Sequence, residues 1–354
     1  MSCKVSDLLR TIFVWVFLGV GVGCQGVNEE AMRGRMEEVL YGAVGDEEAQ
    51  FRCHGLESLA ELGGEAAATV IRRGLEDKAA AVRFAAAVAV GDIGDPLGRE
   101  GLERLLGDEN EAVRLAAGYG LEKLGDKRFE SWYDAALNGN DVQLTGLSCM
   151  LLGKLGESEL RAGSRAKLWR VLEKPDQTAA VKLQAAEALA RLGDEGVLRR
   201  LLSYAASGYA DDRLLAISGL EQLGGEDAYS MLVVLTDDAL MEVRLAAIRA
   251  LGERAEAEDL AVARQGLSYT AEDGDAVVTA RVRGLAALAL GRIGKEEDGR
   301  GLYEAMRGGS RYVQIAAARG MVDFLRRQEA SEMTKANPDE SGQRPKEDQM
   351  IKFK

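Results

Sequence analysis

Apolar residues recur along this chain at helical spacing, and the pattern itself repeats. Val82, Ala85, Ala86, Ala89, Val90 and Ile93 stand at i, i+3, i+4, i+7, i+8 and i+11, the single stripe of an amphipathic helix. Gly94 follows as a stop, Asp95 as a cap for the next helix, and Pro96 sits where a first-turn proline is tolerated. The opening Val82-Arg83-Phe84-Ala85-Ala86 returns as Val113-Arg114-Leu115-Ala116-Ala117, Val243-Arg244-Leu245-Ala246-Ala247 and Val282-Arg283-Gly284-Leu285-Ala286. Aligned on its first position, the chain has anchors at Phe51, Val82, Val113, Leu144, Val181, Asp212, Val243, Val282 and Val313, spaced 31, 31, 31, 37, 31, 31, 39 and 31 residues apart. Ahead of the anchors, pairs such as Ile71 and Leu75, Leu102 and Leu106, Tyr133 and Leu137, and Leu302 and Met306 predict a second helix per unit. Nine helical hairpins are therefore expected from about residue 31 to 328. A period of this size predicts a solenoid: one elongated, all-α body, an α-α superhelix in which each unit buries its apolar face on its neighbours.

Charged positions also keep phase with the repeat. Asp46, Asp77, Asp108, Asp176 and Asp238 stand five residues before an anchor, and Arg52, Arg83, Arg114, Lys182, Arg213, Arg244 and Arg283 one residue after it. Alone, the arginines would suggest a basic stripe for nucleic acid. Their fixed phase with the aspartates predicts a structural ladder instead, with Asp77, Arg83, Asp108, Arg114, Asp238 and Arg244 as its members.

On these residues, Val82-Arg83 with Ala85-Ala86, Ala89-Val90-Gly91 and Ile93-Gly94-Asp95, the unit resembles the short HEAT-like repeat, the kind also found in phycobilin lyase subunits. The resemblance extends over nearly the whole chain after its first segment. It implies a scaffold that binds proteins, and it is specific for fold rather than for activity. The period is shorter than that of tetratricopeptide or ankyrin repeats.

Composition fits stacked helices. Aromatic residues are 5% and hydrophobic residues 47%, so the core is built mainly of Ala, Leu and Val. Pro occurs four times, at Pro96, Pro175, Pro338 and Pro345, outside every predicted helix interior. The net charge is −13. Residues 1–23 hold Lys4, Arg10 and Asp7, a net +1, so their removal leaves −14. A body this acidic repels phosphate backbones, which argues against a nucleic-acid partner.

The first segment carries its own signal. Lys4 and Arg10 precede an uncharged run from Thr11 to Gly23, which ends at Cys24. The run falls short of the roughly 20 apolar residues that span a bilayer. A basic start, a short apolar run and small residues at its end predict a secretory signal peptide over residues 1–23. The Gly23-Cys24 junction resembles a bacterial lipobox, which makes Cys24 the expected site of lipidation, although Gly21 replaces the usual aliphatic residue. Ordinary signal cleavage and an uncleaved anchor are the alternatives. Gln25 after the cysteine implies, by resemblance to Gram-negative lipoproteins, the periplasmic face of the outer membrane. Residues 24–30 then form a short tether, 31–328 the solenoid, and 329–354, rich in charge and holding two prolines, a disordered tail. Its end, Met350-Ile351-Lys352-Phe353-Lys354, is open to docking.

Function is sought where the repeat breaks. The two long intervals insert residues around Lys174-Pro175-Asp176-Gln177-Thr178 and Ser268–Asp275, which are either binding loops or tolerated drift. Asp273-Gly274-Asp275 lacks the ligand ladder of a calcium loop. Position six after the anchor is polar in most later repeats but is Val88, Tyr119 and Met150 in the second to fourth. These three form the candidate protein-binding ridge. The alternative is that neighbouring helices cover them, and full burial of all three would remove the surface.

No catalytic constellation emerges. The one histidine, His54, takes an apolar position, and adjacent Cys53 points to a different helix face. No metal site, cofactor or phosphate loop is expected. Cys53 and Cys149 lie three repeats apart, beyond disulfide reach. The expected function is an exported, lipid-anchored, non-enzymatic scaffold for a protein partner. The alternatives are a phycobilin-lyase-like or lyase-chaperone subunit and a HEAT-like DNA-repair glycosylase. Acidic charge and export disfavour the second of these.

Overall fold

The computed structural model describes residues 27–156 and 163–336. Among the described residues the chain forms nine antiparallel helix pairs and no strand. The outer helices are α1 (Glu29–Val44), α3 (Gly64–Gly74), α5 (Arg99–Leu105), α7 (Glu130–Asn138), α9 (Ser164–Glu173), α11 (Leu198–Ala205), α13 (Glu226–Leu235), α15 (Ala257–Leu267) and α17 (Gly299–Ala305). Each is followed by an inner helix: α2 (Ala49–Leu62), α4 (Ala80–Ile93), α6 (Glu111–Lys123), α8 (Val142–Leu155), α10 (Ala179–Arg191), α12 (Ala210–Leu223), α14 (Met241–Leu251), α16 (Ala276–Ile293) and α18 (Arg311–Ala336). The architecture is the expected all-α superhelix.

The apolar stripe accounts for the pairing. Val82, Val113, Val181, Val243 and Val282 are buried with the residues four and eight places on, forming one continuous band between the helical layers. The stops also act as read. Gly94 ends α4 in the left-handed region at φ 65°, and the Asp95 carboxylate accepts the Leu97 N–H at 3.0 Å to start the next turn.

The body does not extend as an open rod: its two ends meet. Helix α18 packs on α16 and also on α1 and α2, and α17 reaches α1. Arg33 pairs with Glu329, Arg35 donates to the Met306 carbonyl at 2.7 Å, and Arg311 lies 3.2 Å from Asp46. Arg319 pairs with Glu61, and Arg326 donates to the Glu61 carbonyl. The nine hairpins thus close into a ring.

Small residues on the inner helices explain the curvature. The residue nine after one anchor meets the residue seven after the next. A Cβ built on Gly91 would lie 2.9 Å from the Gly120 Cα, one on Gly153 2.8 Å from the Ala188 Cα, and one on Gly291 2.7 Å from the Gly320 Cα. At these three junctions the inner helices approach almost to backbone contact, which narrows the inner side of the stack. Closure over nine repeats requires roughly 40° of turn from each.

The described start, at residue 27, and the end of α18 lie on the same edge of the ring, where inner helices terminate. Helix α18 continues past residue 329 to Ala336, and Glu329 is held by Arg33. Cys24, the signal segment and the terminal Met350–Lys354 stretch fall outside the described residues.

Candidate functional site

Three surfaces of the ring could carry function: the inner face, the outer grooves and the edge formed by the loops from outer to inner helix.

The inner face is occupied by its own side chains. Lys154 of α8 bonds Asp92 of α4 at 2.7 Å, passing α6. Arg292 of α16 bonds Glu221 of α12 at 2.8 Å, passing α14. Ser218 donates to Glu187 at 2.9 Å. Bridges between alternate helices require side chains that point to the ring's centre. At the seam, burial is the largest influence on Arg319 and works to lower its pKa, but the hydrogen bond to Glu61 together with the charges of Glu61, Glu57 and Asp323 leaves it raised. Arg327 donates to the Gly291 and Gly294 carbonyls at 3.0 and 2.6 Å, and burial holds its pKa below the usual arginine range.

The ridge of Val88, Tyr119 and Met150 requires a correction. Tyr119 and Val88 are buried and Met150 is partly buried, so the three do not form an exposed patch. Tyr119 lays its ring beside Gly91 and donates its hydroxyl to Asp92. Both contacts are to the neighbouring inner helix α4, so Tyr119 follows the alternative reading, in which adjacent helices cover these side chains.

The ladder has three inter-repeat rungs. Arg52 reaches Asp77 through two bonds of 2.8 Å, Arg83 reaches Asp108 at 2.7 and 2.9 Å, and Arg213 reaches Asp238 at 2.7 and 2.9 Å. Arg83 also donates to the Asp77 carbonyl at 2.9 Å, tying its own loop. Its guanidinium is the main cause holding the Asp108 carboxyl below its usual pKa. Arg114 and Arg244 bond the Asp108 and Asp238 carbonyls of their own loops and form no such rung, because Gly139 and Val277 occupy the receiving positions in the next repeats. The Asp46–Arg311 pair continues the ladder across the seam, from an arginine three residues before Gln314, which fills the usual position.

A second set of contacts ties the opposite edge, and its signal was not read from the repeat. Arg72 bonds Asp95 at 2.6 Å, Trp169 donates to Asp194 at 2.9 Å, and Arg264 bonds Asp298 at 2.6 Å. Each runs from an outer helix to the aspartate that follows an inner helix. The Gly-Asp pair carried that signal at Asp95 and Asp194, whereas Asp298 stands four residues after Gly294.

Two open depressions lie among the described residues, one of about 230 Å³ beside Arg114 and Trp132. The other, of about 130 Å³ beside Asp134, Leu137 and Lys167, has its lysine already bonded to Glu130 and Asp134, each at 2.8 Å. No group of three or more His, Cys, Asp or Glu side chains is placed to hold a metal ion among the described residues. His54 stands 3.5 Å from Glu57 and edge-on to Tyr312, at the seam. Cys149 is buried, and desolvation pushes its thiol up to about 12; burial also raises that of half-buried Cys53. Neither cysteine is in a disulfide. No described helix is long and apolar enough to cross a membrane.

The loop edge carries exposed apolar side chains on adjacent repeats. Tyr209, at the start of α12, is 78% exposed, Leu240, at the start of α14, 44%, and Val277, in the first turn of α16, 67%. Three successive repeats present a large apolar side chain on one edge, opposite the edge that holds residue 27.

Comparison with known proteins places this geometry in context. Residues 36–122, the first three hairpins, match the model of the HEAT repeat family. No curated protein sequence matches the chain. Among solved structures the chain is similar to the complex of CpcE and CpcF of phycocyanin lyase from Nostoc, at 20% identity over 69% of this chain and 94% of that chain, with a TM-score of 0.42. It is similar to human deoxyhypusine hydroxylase in complex with glycerol at 20% identity, over 74% and 98% of the two chains, with a TM-score of 0.37. An engineered protein matches at 18% identity over 82% and 99%, with a TM-score of 0.31.

Proposed function

We infer that this protein is a non-enzymatic scaffold that binds a protein partner, exported and held by a lipid on Cys24 at the periplasmic face of a bacterial membrane, the outer membrane by preference. The observation that carries the scaffold reading is the contrast between surfaces. Inner-face charges such as Lys154 with Asp92 and Arg292 with Glu221 are engaged with one another, whereas large apolar side chains stand exposed in a row on one edge. An acidic chain of net charge −13 favours a protein partner over nucleic acid. HEAT repeats over the first three hairpins agree with a binding role.

The anchoring reading rests on the Gly23-Cys24 junction and the apolar run before it. A lipid at Cys24 would hold the edge that carries residue 27 toward the bilayer and turn the apolar row outward.

Two experiments test these readings separately. Photo-crosslinkers placed over the ring surface in the native membrane should yield discrete protein adducts. Absence of adducts from every position would refute the scaffold. Cys24→Ser should abolish palmitate labelling and release the protein from the membrane fraction. Equal membrane association of variant and wild type would refute the anchor.

A further inference from the structure

Two neighbouring inner helices begin on residues that neither cap nor pack. A helix start favours Ser, Thr, Asp or Asn, whose side chain accepts a first-turn N–H. Asn110, Asp141, Thr178 and Asp275 fill that role on α6, α8, α10 and α16. Tyr209 and Leu240 occupy the position on α12 and α14 and make no side-chain cap bond. Glu48 and Ala79 also lack one, but neither presents a large apolar group. Each such replacement forgoes about 0.5–2 kcal/mol of helix stability. Exposing an aromatic and a leucine there returns nothing to the fold.

Val277 extends the row to the next repeat. Adjacent inner helices lie roughly 8–10 Å apart, so the three side chains span on the order of 20 Å along the edge. Tyr209 and Leu240 share one position in the repeat, three residues before the anchor, while Val277 lies five before it on the same edge. Isolated exposed apolar residues are ordinary, but three on adjacent loops of one edge are not.

Charge selects the occupant. Asp211, Asp237, Glu272, Asp273 and Asp275 are exposed on the same loops, against one exposed base, Arg281. The other arginines there are engaged: Arg213 with Asp238, Arg244 with the Asp238 carbonyl, and Arg283 with the Tyr269 carbonyl at 2.7 Å. An apolar row in an acidic field repels anionic lipid, nucleic acid and a second copy of itself.

We propose that the edge bearing Tyr209, Leu240 and Val277 is a docking surface for a basic amphipathic segment of a partner protein. Its apolar side chains cover the row while its Lys and Arg meet the acidic loops. The proposal rests on the scaffold reading and gives it a place and a chemistry.

The test uses the full chain and a fluorescein-labelled peptide with a Leu/Lys amphipathic helix pattern, read by anisotropy. The paired substitutions Tyr209→Asn and Leu240→Asn leave the net charge unchanged and supply the missing caps. The variant should melt no lower than wild type and bind the peptide about tenfold more weakly or worse, a loss of roughly 1.4 kcal/mol. Equal binding by both proteins would mean charge attraction alone, overturning the edge while leaving the scaffold to its crosslinking test. Failure of wild type to bind the peptide would overturn the stated partner chemistry. A concentration-dependent dimer in sedimentation velocity, abolished in the variant, would assign the row to a second copy and overturn it equally. So would tighter binding of wild type than variant to phosphatidylglycerol vesicles.

Discussion

One substitution should have opposite effects at two glycines of this ring. Gly91 lies in α4 where it crosses α6, and an added Cβ would stand 2.9 Å from the Gly120 Cα and 3.0 Å from Cε1 of Tyr119. Ordinary contacts of this kind fall at 3.4–4 Å, so α4 and α6 must separate by about 0.5 Å or Tyr119 must move. Tyr119 is buried and bonded to Asp92, which leaves it little freedom. Overpacking of this kind costs about 1–3 kcal/mol. Alanine regains about 1 kcal/mol of helix propensity over glycine. Gly91→Ala should therefore destabilise by up to about 2 kcal/mol. Gly34 lies in exposed helix α1 with nothing within 4 Å of its added Cβ, and Gly34→Ala should stabilise by about 1 kcal/mol. Urea unfolding followed by circular dichroism measures both. If Gly91→Ala matches or exceeds Gly34→Ala in stability, inner-helix contact does not set the ring's curvature.

Other expectations follow from the ladder and the thiols. Arg83→Ala leaves the nearly buried Asp108 carboxylate short of two charged bonds and should cost about 2–3 kcal/mol, whereas Arg114→Ala should cost at least 1 kcal/mol less. Arg83 holds the folded-state pKa of Asp108 below its unfolded value. The contribution is therefore complete above the unfolded value of about 3.9 and is lost as pH falls through the lower folded one, so the gap between wild type and Arg83→Ala should close on acidification below about pH 4. A gap that persists in acid would assign the effect to packing. Cys149, with its thiol near 12, should resist Ellman's reagent at pH 8 until the ring unfolds, while partly exposed Cys53 reacts in the native state. Simultaneous reaction of both would contradict the burial of Cys149.

Much of this fold was legible because its signals are local. The stripe from Val82 to Ile93 and the Gly-Asp stops at Gly94 and Gly193 fix helices and turns within one repeat. Rungs such as Arg83–Asp108 join adjacent repeats at a constant interval, so phase alone exposes them. Closure was not legible, because it depends on a small angle summed over nine repeats. The glycines at 91, 120, 291 and 320 are visible in the sequence, but the angle they permit is not. The seam compounds this, since Arg311, Arg319 and Arg326 pair with residues more than 250 positions away and outside the ladder's phase. The misplaced ridge has a more local origin: Tyr119 packs on Gly91 and bonds Asp92 of the adjacent helix, because glycine at 91 leaves room for its ring. The edge row at Tyr209, Leu240 and Val277 went unread because it falls at helix starts, where the stripe carries no information.

Ring closure is the claim on which the inner face, the seam and the outward edge all depend. It is tested most directly by one distance. Spin labels at Glu37 of α1 and Glu304 of α17 flank the contact between Arg35 and the Met306 carbonyl. In a closed ring, pulsed electron resonance should report a single narrow distance on the order of 30 Å or less, about three helix diameters. Nine hairpins stacked in an open solenoid would separate the same labels by about 80 Å, and a distance in that range would contradict the account.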